Sequence, residues 1–173
     1  MRTGPVLLLI FGLSVLSGCG YHTLGAATHL PPETHTLAVP VFATKTDTYH
    51  TETVMTGAVI REFAARSRLR VTPNEKDDPD VVLHGTILQE TVVPLTYNTS
   101  TQQSSSYLIT VVAAVRLTGR DGHMLYENKN YVFRQQYQST TDLPVYFDES
   151  PAAIERLSHD FARALVADVL EGL

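Results

Sequence analysis

The chain has 173 residues, 43% apolar and 18% charged, a composition that fits a folded domain and excludes a disordered one. A net charge of −5 at pH 7 argues against broad nucleic-acid binding, which needs a basic face. The single cysteine excludes an internal disulfide and a zinc site built on thiolates, so a hydrophobic core must hold the fold.

The first segment is organised as a secretory signal. Met1 and Arg2 form a short basic start, Pro5 to Leu16 is almost free of polar side chains, and the small residues Ser17 and Gly18 precede Cys19. The apolar run is shorter than the about 20 residues needed to span a bilayer. With the cysteine just after the cleavage site, the segment resembles a bacterial lipoprotein signal. That resemblance implies that residues 1–18 are removed and that Cys19 becomes the lipidated N-terminus, carrying diacylglycerol and acyl chains. Gly20 stands where an aspartate would signal inner-membrane retention, so the implied destination is the outer membrane, on its periplasmic side. No other cofactor and no metal is expected.

Residues 19–35 read as a lipidated tether with Gly20, Gly25, Pro31 and Pro32, and residues 36–173 as a single domain. Leu37 to Phe42 suits a strand, with Pro40 predicting an edge position or a bulge. From Thr51 to Arg68 the apolar spacing turns helical, with Met55, Val59 and Phe63 on one stripe and Ile60 beside them. Gly57 inside this helix suggests close approach to the sheet. Leu69 to Thr72 begins a short strand, and Pro73 to Pro79 is a charged loop. Val81 to Val93 is extended and is expected to end at Pro94. Leu95 to Ser106, rich in Thr, Ser, Gln and Asn, is either a loop or a hairpin with a poorly ordered tip.

Tyr107 to Leu117 alternates with apolar residues on both faces, which predicts a central strand. Gly119-Arg120-Asp121-Gly122 is a hairpin turn leading to the partner strand Met124–Tyr137. Ser150-Pro151 starts the last helix, whose stripe is Ile154, Leu157, Phe161 and Leu165. Strand, helix, three strands, helix is most simply an α+β two-layer sandwich: a mixed sheet of about four strands with both helices on one face. The other face is then bare and needs a partner.

Several of these segments resemble the LptE family of lipopolysaccharide-assembly lipoproteins. The likeness begins at Cys19-Gly20-Tyr21-His22, continues through Leu37-Ala38-Val39-Pro40-Val41-Phe42 and Asp80 to Ile87, and extends to the closing strand Phe133–Tyr137 and the last helix. It implies a non-enzymatic protein that plugs and helps assemble the large LptD beta-barrel and binds lipopolysaccharide for delivery to the outer leaflet. The implied partners are an LptD-like barrel, lipopolysaccharide, and the membrane through the lipid anchor. A basic residue in the hairpin after the long central strand binds lipopolysaccharide in the family. Arg120 stands in the matching turn, with Arg116 and Lys129 nearby. The family can also carry basic residues after its second long strand, whereas Glu90-Thr91-Val92-Val93 here has none.

Plainer readings stand beside these. An arginine in a turn is often only a solvated charge. The tyrosines at 97, 107, 126, 131, 137 and 146 fit sheet packing or an interface equally well. The seven histidines form no His-Glu-x-x-His pattern, Asp77, Asp78 and Asp80 lack a glycine-centred calcium loop, and Ser104–Ser106 lacks the flanking glycines of a nucleophile elbow. No catalytic constellation is present. The alternative to the family reading is an unrelated periplasm-facing lipoprotein that binds another envelope component.

Overall fold

The computed structural model describes residues 29–46, 50–98, 103–140, 147–148 and 150–172. The elements in chain order are β1 (Thr36–Ala38), β2 (Ala43–Thr44), α1 (Thr51–Arg66), β3 (Arg70–Thr72), a 3-10 turn at Glu75–Asp77, β4 (Val81–Asn98), β5 (Gln103–Gly119), β6 (Met124–Thr140), β7 (Phe147–Asp148) and α2 (Ser150–Glu171). The sheet order is β3-β1-β4-β5-β6-β7, with β2 also beside β4. β1 is parallel to both β3 and β4, whereas β4, β5 and β6 form an antiparallel meander. This is the expected α+β sandwich, with more strands than the expected four or so. β2 and β7 have two residues each, too few to leave an alternating pattern.

One local expectation is resolved and two change. β1 lies between β3 and β4 rather than at an edge. Pro40 instead falls where the strand breaks. The five steps from Ala38 to Ala43 face the four from Val82 to Thr86, which is the extra residue of a bulge. β4 does not stop at Pro94 but runs to Asn98, and β5 starts at Gln103, so the polar segment is the upper part of a hairpin. Past Ile87, among the described residues, no strand pairs with β4 on the side away from β5. A missing N–H on that edge costs no ladder bond, and proline there also discourages edge-to-edge pairing. Finally, a Cβ on Gly57 would meet only the Arg61 guanidinium, at 3.2 Å, and not the sheet.

The core lies between the helices and one sheet face. Leu83, Ile87, Ile109, Val111, Ala113, Val115 and Leu117 are buried there against Met55, Val59 and Phe63 of α1 and Leu157, Phe161, Leu165 and Val169 of α2. Phe161 sits at the centre of an aromatic cluster. Its ring meets Phe42, Tyr131 and Phe133 edge-on, at centroid distances of 6.1, 5.6 and 5.6 Å. The connection between β1 and β2 is pinned to α1. The Phe42 N–H donates to Thr56 Oγ1 at 3.0 Å, and that hydroxyl donates to the Glu52 carbonyl at 2.6 Å. Arg66, in the last turn of α1, pairs with Glu171 at the end of α2, so the two helices finish side by side.

Candidate functional site

Element lengths decide what the helices can cover. β4, β5 and β6 have 18, 17 and 17 residues, hence about 55–60 Å each at about 3.3 Å per residue. α1 and α2 have 16 and 22 residues, only about 24 and 33 Å at 1.5 Å per residue. The upper part of the meander therefore projects past the helices as a two-faced arm. Every residue from Thr91 to Thr96 is exposed, including Val92 (48%), Val93 (46%) and Leu95 (47%).

Among the described residues the sheet face away from the helices is also bare. Cross-strand register gathers Val82, His84 and Thr86 of β4, Leu108, Thr110, Val112, Ala114 and Arg116 of β5, and Val132 and Arg134 of β6 on that face. The β4 and β5 members are half-buried except Arg116, which is exposed along with Val132 and Arg134. A sheet face that turns Val82, Leu108, Val112, Ala114 and Val132 away from the helices is a candidate interaction surface.

The three basic candidates do not form one cluster. Arg120 caps the lower end of the sheet in the turn after β5, where the Gly119–Gly122 geometry expected from the sequence is present, with Gly122 at φ 80°. Its guanidinium donates to the Asp78 carbonyl at 2.8 Å and to Asp80 Oδ1 at 3.2 Å, and lies 3.4 Å from Asp78 Oδ1. Its backbone N–H donates to the Asp80 carbonyl at 2.9 Å. Asp80 is itself a hub. Its Oδ2 accepts from the His35 and Thr36 N–H groups, both at 2.9 Å, and from Thr36 Oγ1 at 2.8 Å. These bonds, the His35 N–H first and Arg120 least, hold the Asp80 carboxyl below the ordinary carboxylate range. A groove of about 640 Å³ opens beside Arg120, but Glu33, Asp80 and Asp121 also line it. An anion there would meet three carboxylates with one arginine.

Arg116 is on the bare face, opposite His84 on one side and Glu127 on the other. Lys129 pairs with Glu127 at 3.1 Å. Sequence reasoning did not single out Arg134, which lies on the bare face opposite Thr110 and, like Arg116, has no ion pair among the described residues. Its place in the alternation of β6 was the available signal. Cys19 lies outside the described residues, as does the rest of the signal segment.

Two of the tyrosines are committed to packing. Tyr126 and Tyr131 hydroxyls meet each other and Asp168 of α2, with Tyr126 at 3.2 Å from the carboxylate. Burial and the neighbouring carboxylate push the Tyr131 hydroxyl well above the ordinary phenol range. Tyr107 and Tyr137 stack across β5 and β6 at 5.2 Å. The segment before β1 is tied to the Tyr126 end of the molecule: the His29 N–H donates to the Val169 carbonyl at 3.1 Å and its ring lies 5.0 Å from Tyr126. No helix of the described residues is long and apolar enough to cross a membrane.

No curated protein matches the chain. Solved structures share its fold. They include a lipoprotein candidate from Caulobacter crescentus (12% identity over 76% of this chain and 89% of that one, TM-score 0.54). An uncharacterized lipoprotein B from Nitrosomonas europaea (11%, 86% and 90%, TM-score 0.54) is similar, as is a protein of unassigned function from Chlamydia trachomatis (12%, 79% and 95%, TM-score 0.51). At such identities the likeness speaks for the fold alone. The model of the LptE family, described as lipopolysaccharide-assembly, matches residues 34–169, nearly the whole described domain, and the chain belongs to that family.

Proposed function

We propose that this chain is a non-enzymatic outer-membrane lipoprotein, anchored through Cys19 on the periplasmic side, that plugs an LptD-like beta-barrel, helps it assemble, and binds lipopolysaccharide on its way to the outer leaflet. Family membership supports the assembly role. The observation that carries the plug reading is the bare sheet face, continuous with the arm whose Val92, Val93 and Leu95 are about half exposed. Packing against the inner wall of a barrel would cover both. Such a surface has the valines and threonines to pack and few charges to desolvate.

For lipopolysaccharide, whose phosphates call for arginine, Arg116 and Arg134 are the better placed contacts, since they share the bare face and have no competing carboxylate bond among the described residues. Lys129 would first have to leave Glu127, and Arg120 would have to leave Asp78 and Asp80. The decisive experiment is co-purification from solubilised outer membranes. A large barrel should accompany the tagged chain, and depleting the chain should reduce the folded barrel. A chain recovered abundantly without any barrel would end the plug reading.

A further inference from the structure

At the other end of the sandwich from Arg120, the opening turns of both helices leave a cavity of about 410 Å³ against the sheet. This is within the range of small-ligand pockets. Val81 is opposite Gly119, so Glu90 in the cavity wall is about 30 Å from the Arg120 turn along β4. The walls are apolar: Val54 of α1, Val92 of β4, Ile109 of β5, Tyr137 of β6 and Ile154 of α2.

Glu90 is one of the polar exceptions, beside His50, Thr51, Ser150 and Glu155. Its Oε2 is withdrawn from solvent and has no hydrogen-bond partner among the described residues. Buried acceptors are rarely left so, because an unmade bond costs more than a made one gains. Burial pushes the Glu90 carboxyl up, repulsion from Glu52 adds to this, and the Thr51 hydroxyl opposes it. Glu155 and His50 also face the space. Taken alone, two converging helix N-termini favour an anion. Here Glu52, in the first turn of α1, and Glu90 already supply that negative charge, and a further anion would be repelled by both. The acidic end of the cavity, with Glu90 and Glu155 in its lining and Glu52 beside Glu90, calls for a positive group.

We propose that this cavity binds a small amphiphile with a cationic N–H donor at one end of a hydrocarbon body, the nitrogen pairing with the Glu90 carboxylate and the hydrocarbon lying against Val54, Val92, Ile109 and Ile154. The site is independent of the lipopolysaccharide reading, whose ligand is anionic and whose arginines lie on the opposite sheet face.

The test uses the chain from residue 19 onward with Cys19→Ser, which retains every residue of the described fold. Methyl resonances are followed during titration with octylammonium and, separately, octanoate, both below their micelle concentrations. Octylammonium should give saturable shifts at Val54, Val92, Ile109 and Ile154 and bind at least about tenfold more tightly than octanoate. Glu90→Gln, with folding checked by circular dichroism, should remove that preference. Ile154→Phe, which fills the cavity and leaves Glu90 in the sequence, should abolish the shifts for octylammonium as well. Equal affinity for the two probes would overturn the proposal. So would a preference that survives Glu90→Gln, binding that survives Ile154→Phe, or shifts that never saturate and spread to Val93 and Leu95 on the arm.

Discussion

The ring of Phe42 lies directly over Gly85: a Cβ added to that glycine would sit 2.5 Å from the ring carbons. The absence of a side chain on β4 thus lets the residue after the Pro40 bulge fold down onto the sheet and reach Phe161. Gly85→Ala must push Phe42 off this seat, and Phe42 is also held by the Thr56 hydroxyl through its N–H. Overpacking of this kind costs about 1–3 kcal/mol. Urea unfolding should show the midpoint falling with little change in slope. An unchanged midpoint would mean that the ring moves freely, contrary to the packing described.

Asp80 makes an acid-side prediction. Its carboxyl is held below its ordinary value of 3.8, so its contribution to stability is fully present above that pH. The contribution is lost as pH falls through the lower, folded-state value. Asp80→Asn should therefore lower the thermal midpoint at pH 7. The gap to the unsubstituted protein should narrow below about pH 4 and close at still lower pH. Melting curves from pH 7 to pH 2 would check this. A gap that stays constant with pH would show that the Asp80 charge is not responsible.

Arg120 and Arg116 should respond differently to charge reversal. Arg120→Glu places a third carboxylate against Asp78 and Asp80 and breaks the contact between the hairpin turn and the start of β4, so its thermal midpoint should drop. Arg116→Glu and Arg134→Glu remove cations from the bare face that hold no ion pair among the described residues, and their midpoints should stay close to that of the parent. If these two arginines meet phosphates, each reversal should weaken binding to immobilised lipopolysaccharide by about fivefold, the effect of about 1 kcal/mol at an exposed site. The converse pattern, stable Arg120→Glu with lost binding and unaffected Arg116→Glu and Arg134→Glu, would return the site to the turn.

The periodic elements were legible because their side chains alternate between core and solvent. The Leu157, Phe161 and Leu165 stripe and the inward residues of β5 are buried as their spacing predicts. The turn at Gly119–Gly122 was legible from glycine and aspartate chemistry. The prolines were only half informative. Pro40 does mark an irregular backbone, but the three-residue β1 before it is enclosed by β3 and β4, which depends on partners distant in sequence. Pro94 looked like a strand end because its missing donor matters only where a neighbouring strand would accept it. The site was less legible for the same reason. Arg120 is held by aspartates about forty residues earlier, and the cavity at Glu90 exists only where five elements converge. Bareness of the sheet face could be anticipated from an order containing only two helices, whereas its extent follows from strands nearly twice as long as the helices that cover them.

The anchor gives the last prediction. Burial of each methylene contributes about 0.8 kcal/mol, so a single chain holds only marginally while a diacylglycerol with a further acyl chain is effectively permanent. Cys19→Ala removes the thiol that would carry these chains, and the small-residue site at Ser17-Gly18 then lacks the cysteine that follows it. The expected product is an uncleaved precursor retaining residues 1–18, with no acyl mass and with a domain that still folds around the core between Leu30 and Leu170. Mass spectrometry of the purified protein separates the outcomes. A normally processed Cys19→Ala protein recovered with the outer membrane would show that the association comes from the barrel or another partner, and not from lipid on this residue.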